Sequence, residues 1–143
     1  MKTIKQLLEV KGDDIWSITP DASVYEAVKL MADKAIGALL VLESGKLIGI
    51  ISERDCTRKL MLQERAPKDT LVREIMTSSV ITVRPDQTVE ECMALVTAKR
   101  IRHLPVLAGD QLMGMVSIGD LVKDIISEQE FMIQQLENYI QGG

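Results

Sequence analysis

Aromatic residues are scarce in this chain: one Trp, two Tyr and one Phe among 143 residues. Any core must therefore be aliphatic, built from Leu, Ile, Val, Met and Ala, and the 46% hydrophobic content is enough to fill one domain. The same scarcity removes the stacking platforms on which single-stranded nucleic acid is held. Positive charge is not in excess either. The net charge is -4 with no Lys/Arg run, so the electrostatic footprint of a duplex binder is missing and no nucleic-acid partner is expected. No apolar stretch approaches the ~18 residues that cross a bilayer, and Met1 to Val10 carries no apolar run of signal-peptide length. No membrane partner is expected. The two cysteines, Cys56 and Cys92, suit a reducing cytoplasm as small buried hydrophobes, with a structural disulfide the less favoured alternative. His103 is the one histidine and has no ligand cluster around it, so no metal is required. A Gly-rich phosphate loop, a Cys-x-x-Cys and a Cys-His or Ser-His-Asp spacing are all lacking. The chain reads as a non-enzyme.

What is present is a repeat. Shifted by 65 residues, Pro20 falls on Pro85, Asp21 on Asp86, Val24 on Val89, Glu26 on Glu91, Gly49 on Gly114, Ser52 on Ser117 and Asp55 on Asp120. Between Ile18 and Asp55, 14 of 38 positions are identical without a gap, which marks one supersecondary unit used twice. A unit of about 60 residues is small to bury a core alone. Two copies facing each other would bury that surface about a pseudo-two-fold axis, and any pocket at the seam would occur twice.

Each copy has the same predicted elements. An extended piece comes first, at 14–18 and 79–83. Ser23 with Glu26, and Thr88 with Glu91, are S/T-x-x-E capping boxes that open a helix. Val24, Ala27, Val28, Met31 and Ala32 form the apolar stripe of one helix, and Val89, Cys92, Met93 and Val96 that of the other. The apolar runs Ala38–Leu42 and Leu104–Leu107 predict strands buried on both faces. Hairpin turns at 44–46 and 108–110 lead to returning strands at 47–51 and 112–116. Second helices are expected at about 53–63 and 118–127, with 64–76 a polar connector. The chain from Leu121 to Ile140 has helical character throughout and a partial apolar stripe, ending at Gly142-Gly143. It packs back on its own domain or serves as a dimer helix. An amphipathic tail beyond a complete fold usually needs a partner surface, which favours the dimer.

The two Ser-x-x-Asp motifs, Ser52–Asp55 and Ser117–Asp120, come directly after buried strands and open helices. A hydroxyl and free backbone amides at a helix N-terminus suit an anion. The carboxylate three residues on suits two vicinal sugar hydroxyls. Together they fit a nucleotide; each alone also fits simple helix capping. Arg102-His103 stand where the first copy has Gly37-Ala38. Small residues would admit a flat ring close to the backbone, whereas Arg102 and His103 would offer donors to phosphate. With an ordinary pKa of about 6.5, His103 would gain charge as pH falls from 8 to 6.

With these motifs in place the chain resembles a tandem pair of CBS domains, the cystathionine-β-synthase-type regulatory module, of the small stand-alone bacterial kind. The resemblance runs from about residue 8 to 127. The family's ligand pattern is Gly-hydrophobic-x-hydrophobic, a spacer of 11 or more, and Ser/Thr-x-x-Asp. The first copy carries it as Gly37-Ala38-Leu39-Leu40, 11 residues and Ser52-Glu53-Arg54-Asp55. The second keeps the spacing with Arg102-His103-Leu104-Pro105 and Ser117-Ile118-Gly119-Asp120, Arg102 replacing the glycine. That departure resembles the basic pair that holds nucleotide phosphate in the regulatory subunit of AMP-activated protein kinase.

The resemblance implies an α/β fold of two pseudo-symmetric CBS units, each strand-helix-strand-strand-helix, packed through their sheets, with an extended C-terminal helix. Residues 1–70 would form the first unit with the N-terminal segment and connector, 71–127 the second, and 128–143 the helical extension. It implies a non-catalytic regulator that binds AMP, ADP, ATP, NAD or S-adenosylmethionine and signals to an unknown regulated protein by a change of conformation. A homodimer through the CBS units and the C-terminal helix is implied as well. One cleft would use Asp120 and Ser117 with Ile15, Trp16, Gly37 and Ala38. The other would use Asp55 and Ser52 with Val80, Ile81, Arg102 and His103. Ile36, Arg54, Ile101, Pro105 and Gly119 complete the implied nucleotide-binding set. The alternative is a structural interaction module whose clefts are vestigial or empty.

Overall fold

The computed structural model of the chain describes residues 2–12 and 14–142. Its elements fall into two compact units of the same plan. One is Asp14–Ile81; the other joins the N-terminal helix to the chain from Thr82 onward.

In the first unit, β1 (Ser17–Ile18) runs parallel to β2 (Ala38–Glu43), and β2 pairs antiparallel with β3 (Lys46–Ser52). The helix α2 (Val24–Lys34) makes the crossover. Ser23 caps it by accepting from the Glu26 amide at 3.1 Å, but Glu26 makes no return bond, so this cap is one-sided rather than a full box. The β2–β3 turn has Ser44 and Gly45 at φ 51° and 78°, the paired left-handed residues of a type I′ hairpin. Val24, Ala27 and Met31 of α2 pack with Leu39, Val41 and Ile51 of the sheet in one buried cluster. After β3 the chain forms α3 (Glu53–Asp55), which continues as a π-helical stretch, Cys56–Met61. Residues 64–76 are more than a polar connector. They contain α4 (Val72–Ile75), whose Val72 and Ile75 join the same core.

The second unit repeats the plan with α5 (Val89–Lys99), β4 (His103–Ala108) and β5 (Gln111–Ser117). The hairpins share one register: Ala38 pairs with Ser52 as His103 pairs with Ser117, and each ladder is interrupted at the equivalent step, after Val41 and after Val106. As expected, β2 and β4 are buried on both faces; Leu39, Leu40, Val41, Leu104 and Val106 have no exposed surface. The extended piece expected at 79–83 is reduced to a single bridge, Val83 to Val106. Proline is the reason. In the first unit the Leu40 amide donates to the Trp16 carbonyl at 3.2 Å, whereas its counterpart Pro105 has no N–H to give.

The N-terminal segment, expected with the first repeat, packs in the unit of the second. The helix α1 (Ile4–Lys11) buries Ile4, Leu7 and Leu8 there. Ile4 N donates to Gln87 O at 2.8 Å, Lys5 N to Pro85 O at 2.9 Å, and Val89 N to Lys2 O at 3.0 Å. The same three bonds tie α4 to the first unit: Val72 N to Ala22 O at 2.8 Å, Arg73 N to Pro20 O at 2.9 Å, and Val24 N to Thr70 O at 2.8 Å. Each of these helices therefore precedes one repeat and closes the other. The shared glycines make room for them. A Cβ on Gly49 would lie 2.6 Å from Met76 Sδ, and one on Gly114 would lie 3.1 Å from Leu8 Cδ2.

The final helix, α6 (Ile118–Gln141), is continuous over 24 residues. Leu121 is fully buried, and buried Asp124 is anchored by the Lys2 ammonium at 2.7 Å. Beyond Glu130 the helix does not pack back on its own domain: Phe131, Met132, Ile133, Leu136, Tyr139 and Ile140 are 55–77% exposed. No described helix is long and apolar enough to cross a membrane.

Candidate functional site

The 11-residue spacer of the motif is used up by a hairpin. Because Ala38 pairs with Ser52 and His103 with Ser117, the two halves of each motif end side by side. The Glu53 amide donates to the Gly37 carbonyl at 3.0 Å, and the Ile118 amide to the Arg102 carbonyl at 2.8 Å. Gly37-Ala38 thus stand beside Ser52–Asp55, and Arg102-His103 beside Ser117–Asp120.

Both Ser-x-x-Asp motifs are reciprocal capping boxes. Ser52 Oγ accepts from the Asp55 amide at 3.1 Å while Asp55 Oδ2 accepts from the Ser52 amide at 3.0 Å. Ser117 Oγ accepts from the Asp120 amide at 3.1 Å, and Asp120 Oδ2 from the Ser117 amide at 2.8 Å. Capping is therefore one of their roles. Each carboxylate also meets a lysine. Lys59 Nζ lies 3.2 Å from Asp55 Oδ1, and Lys11 Nζ lies 2.6 Å from Asp120 Oδ2 while donating to the Met115 carbonyl at 2.5 Å. Burial alone would raise the Asp120 carboxyl; the Lys11 ammonium and the Ser117 amide outweigh it and hold the group below the usual carboxylate range.

Burial depresses His103, and the nearby Lys11 and Arg102 charges add to the effect against the opposing pull of Asp120. Its protonation therefore moves below the ordinary 6.5, which makes the expected gain of charge between pH 8 and 6 smaller. Arg102, Arg54 and Gly119 are exposed, whereas Ala38 and Pro105 are buried within their strands. Ile15, Ile36, Gly37, Val80, Ile81 and Ile101 are half-buried. Trp16 is 36% exposed, with Lys34 Nζ 4.4 Å from its ring centre, a cation–π contact. Sequence reasoning missed Lys11, Lys59 and Thr77, whose hydroxyl donates to Asp55 Oδ1 at 3.3 Å. Lys59 was readable, four residues after Asp55 on one helix face. Lys11 was not, because it arrives across 109 residues of sequence.

A family model described as the CBS domain matches residues 8–62 and 72–127, one match for each repeat. The chain belongs to the CBS-domain family. It is 44% identical to the CBS domain-containing protein CBSX3, mitochondrial, of Arabidopsis thaliana, an alignment that takes in 99% of this chain and 73% of that protein. Among solved structures it is similar to a candidate signal-transduction protein with CBS domains from Burkholderia ambifaria MC40-6. The TM-score is 0.86 and the identity 51%, over 90% of this chain and 96% of that one. It is also similar to a hexameric CBS-CP12 protein from bloom-forming cyanobacteria, with a TM-score of 0.76 and 30% identity over 85% of this chain and 70% of that one. The two units are CBS units, and tandem CBS units are regulatory modules.

Proposed function

We propose that this CBS pair is a non-catalytic sensor of adenosine-containing ligands, AMP, ATP or NAD foremost, with ADP and S-adenosylmethionine also in the class. It signals occupancy to a partner protein by a change of conformation. The observation that carries this reading is the corner built in each unit by strand register. A Ser-x-x-Asp helix start lies directly across from the first residue of the neighbouring strand. At Asp120 that corner keeps a carboxylate ionised, and an ionised carboxylate is the acceptor that ribose hydroxyls need. The buried, free Cys56 and Cys92 fit a reducing compartment, here taken as the cytoplasm. A thermal-shift screen with AMP, ATP, NAD and S-adenosylmethionine is the test. A specific ligand at a hundred times its dissociation constant stabilises the fold by ~2.7 kcal/mol. No shift with any of the four would favour the alternative, an interaction module with empty clefts.

Assembly is part of the same proposal. The bare end of α6 suits a second copy. Ile126, Ile133 and Ile140 alternate with Val122, Gln129 and Leu136 at the four-and-three spacing of a heptad seam, and none of the six is buried. The protein is therefore expected to be a homodimer through its CBS units and this helix. Light scattering should show a dimer for the full chain and a weaker one for a chain ending at Ser127. A monomeric full-length protein at micromolar concentration would remove the proposal.

A further inference from the structure

An ionised carboxylate offers about four lone-pair sites, and the two corners use them differently. At Asp55 the chain fills all of them. Oδ2 accepts from the Ser52 amide and the Ser52 hydroxyl, both at 3.0 Å. Oδ1 accepts from the Thr77 hydroxyl at 3.3 Å and the Lys59 ammonium at 3.2 Å. Lys59 is fixed in turn by the Ile75 carbonyl at 3.2 Å. At Asp120 only Oδ2 is engaged, by the Ser117 amide at 2.8 Å and the Lys11 ammonium at 2.6 Å. Among the described residues no donor lies on Oδ1. The side chain is also the more open of the two, 25% exposed against 12% for Asp55.

The difference is written in the side chains around the corners. Thr77 comes just after the residue that packs on Gly49; Glu9 comes just after the residue that packs on Gly114. A donor in one unit is thus replaced by an acceptor in the other. The repeat counterpart of Lys59 is Asp124, which is turned to Lys2. Both donors that close Asp55 from the outside are lost at Asp120. Lys11 replaces one charge but takes the oxygen already bonded to the cap.

We propose that the corners have diverged into one ligand-binding and one structural carboxylate, so that each chain takes up one adenosine ligand. Asp120 Oδ1 accepts the ligand's vicinal hydroxyls while Lys11 keeps the carboxylate in place. Asp55 is spent on its own unit, where it joins β3, the π-helical stretch and the segment after α4. This assignment rests on the adenosine reading above.

Calorimetric titration of the full chain with AMP, ATP, NAD and S-adenosylmethionine separates the possibilities. For whichever of these binds, one molecule per chain is expected. Asp120→Asn should weaken it by about tenfold or more, the worth of a hydrogen bond to a charged group. Asp55→Asn should change affinity by about twofold at most, because this carboxylate makes no contact with the ligand, while lowering the melting temperature more than Asp120→Asn does. Hydrogen exchange on the unmodified protein supplies a readout free of folding defects: ligand should protect amides at 117–121 and leave 52–56 unchanged. Two equal sites per chain, equal losses in the two variants, or protection at both corners would overturn the assignment while leaving the adenosine reading intact. No binding by any of the four compounds would remove both.

Discussion

After Asp55 the helix lasts only to Met61, its final six residues in π geometry; after Asp120 it runs without a break to Gln141. The start signals are the same, a reciprocal Ser–Asp box at the end of a buried strand. The packing beyond them differs. In the first unit Cys56 and Leu60 turn into the core against Val72 and Ile75, and Lys59 reaches back to both Asp55 and the Ile75 carbonyl. The chain must then return to α4, which it does through Glu64 at φ 55° and Pro67. In the second unit Leu121, Asp124 and the half-buried Ile125 anchor the start of the helix, and beyond Glu130 it continues without a core to enter. A capping box sets where a helix begins, while its length and pitch depend on what it packs against.

The sharpest way to break the likeness of the two units is to remove the helices they exchange. Leu7 and Ile75 hold equivalent places in α1 and α4, 4% and 1% exposed. Truncating either to alanine should cost about 2–5 kcal/mol in urea denaturation, and by similar amounts. A loss below about 1 kcal/mol for Leu7→Ala, well under the range for a buried leucine, would show that α1 does not close the second unit as α4 closes the first.

The glycine pair sharpens the comparison at a smaller scale. A Cβ at position 49 would meet Met76 Sδ at 2.6 Å and the Thr77 carbonyl at 3.0 Å, and a backbone group cannot step aside. At position 114 it would meet only the flexible end of Leu8 at 3.1 Å. Gly49→Ala should therefore destabilise by about 1–3 kcal/mol, with Gly114→Ala clearly milder. The reverse order would mean that Met76 yields more easily than Leu8.

The smallest effect is set by pH and belongs to one unit alone, since Ala38 stands where the other has His103. The unfolded chain takes up this proton near 6.5, whereas the folded chain resists it. Stability from this group is therefore complete above about 6.5 and declines as pH falls below it. Asp120 has its folded value below the unfolded 3.8, so its contribution is present above that pH and is lost only in stronger acid. His103→Gln should flatten stability between about pH 6.5 and 5 while leaving the acid limb in place. An unchanged profile would show that another group titrates there.

Much of this was legible along the chain. The repeat, its strand-helix-strand-strand-helix order, the buried strands and the motif spacing are local patterns of apolar residues, caps and turns, and each sits where its own residues put it. The single bridge in place of a strand near 79–83 was written in Pro105, although reading it required knowing that Pro105 occupies the position of a donating amide. The course of α1 was not legible. It precedes the first repeat along the chain, and only the packing of Leu8 on Gly114 and the bonds from Ile4 and Lys5 place it in the second. The state of the two aspartates was hidden for the same reason. The Ser-x-x-Asp motifs are identical as text, and their difference lies in Thr77, Lys59 and Lys11, groups delivered by other elements.

Sequence alone thus determined the duplicated unit, its aliphatic core and the place of each corner, because helix caps, hairpin turns and apolar periodicity act over a few neighbouring residues. Tertiary structure alone decided which helix closes which unit, how far each helix runs, and which carboxylate keeps an oxygen free. Those outcomes depend on the burial of apolar side chains and the filling of lone pairs by groups distant in sequence, as with Lys11 and Asp120, 109 residues apart.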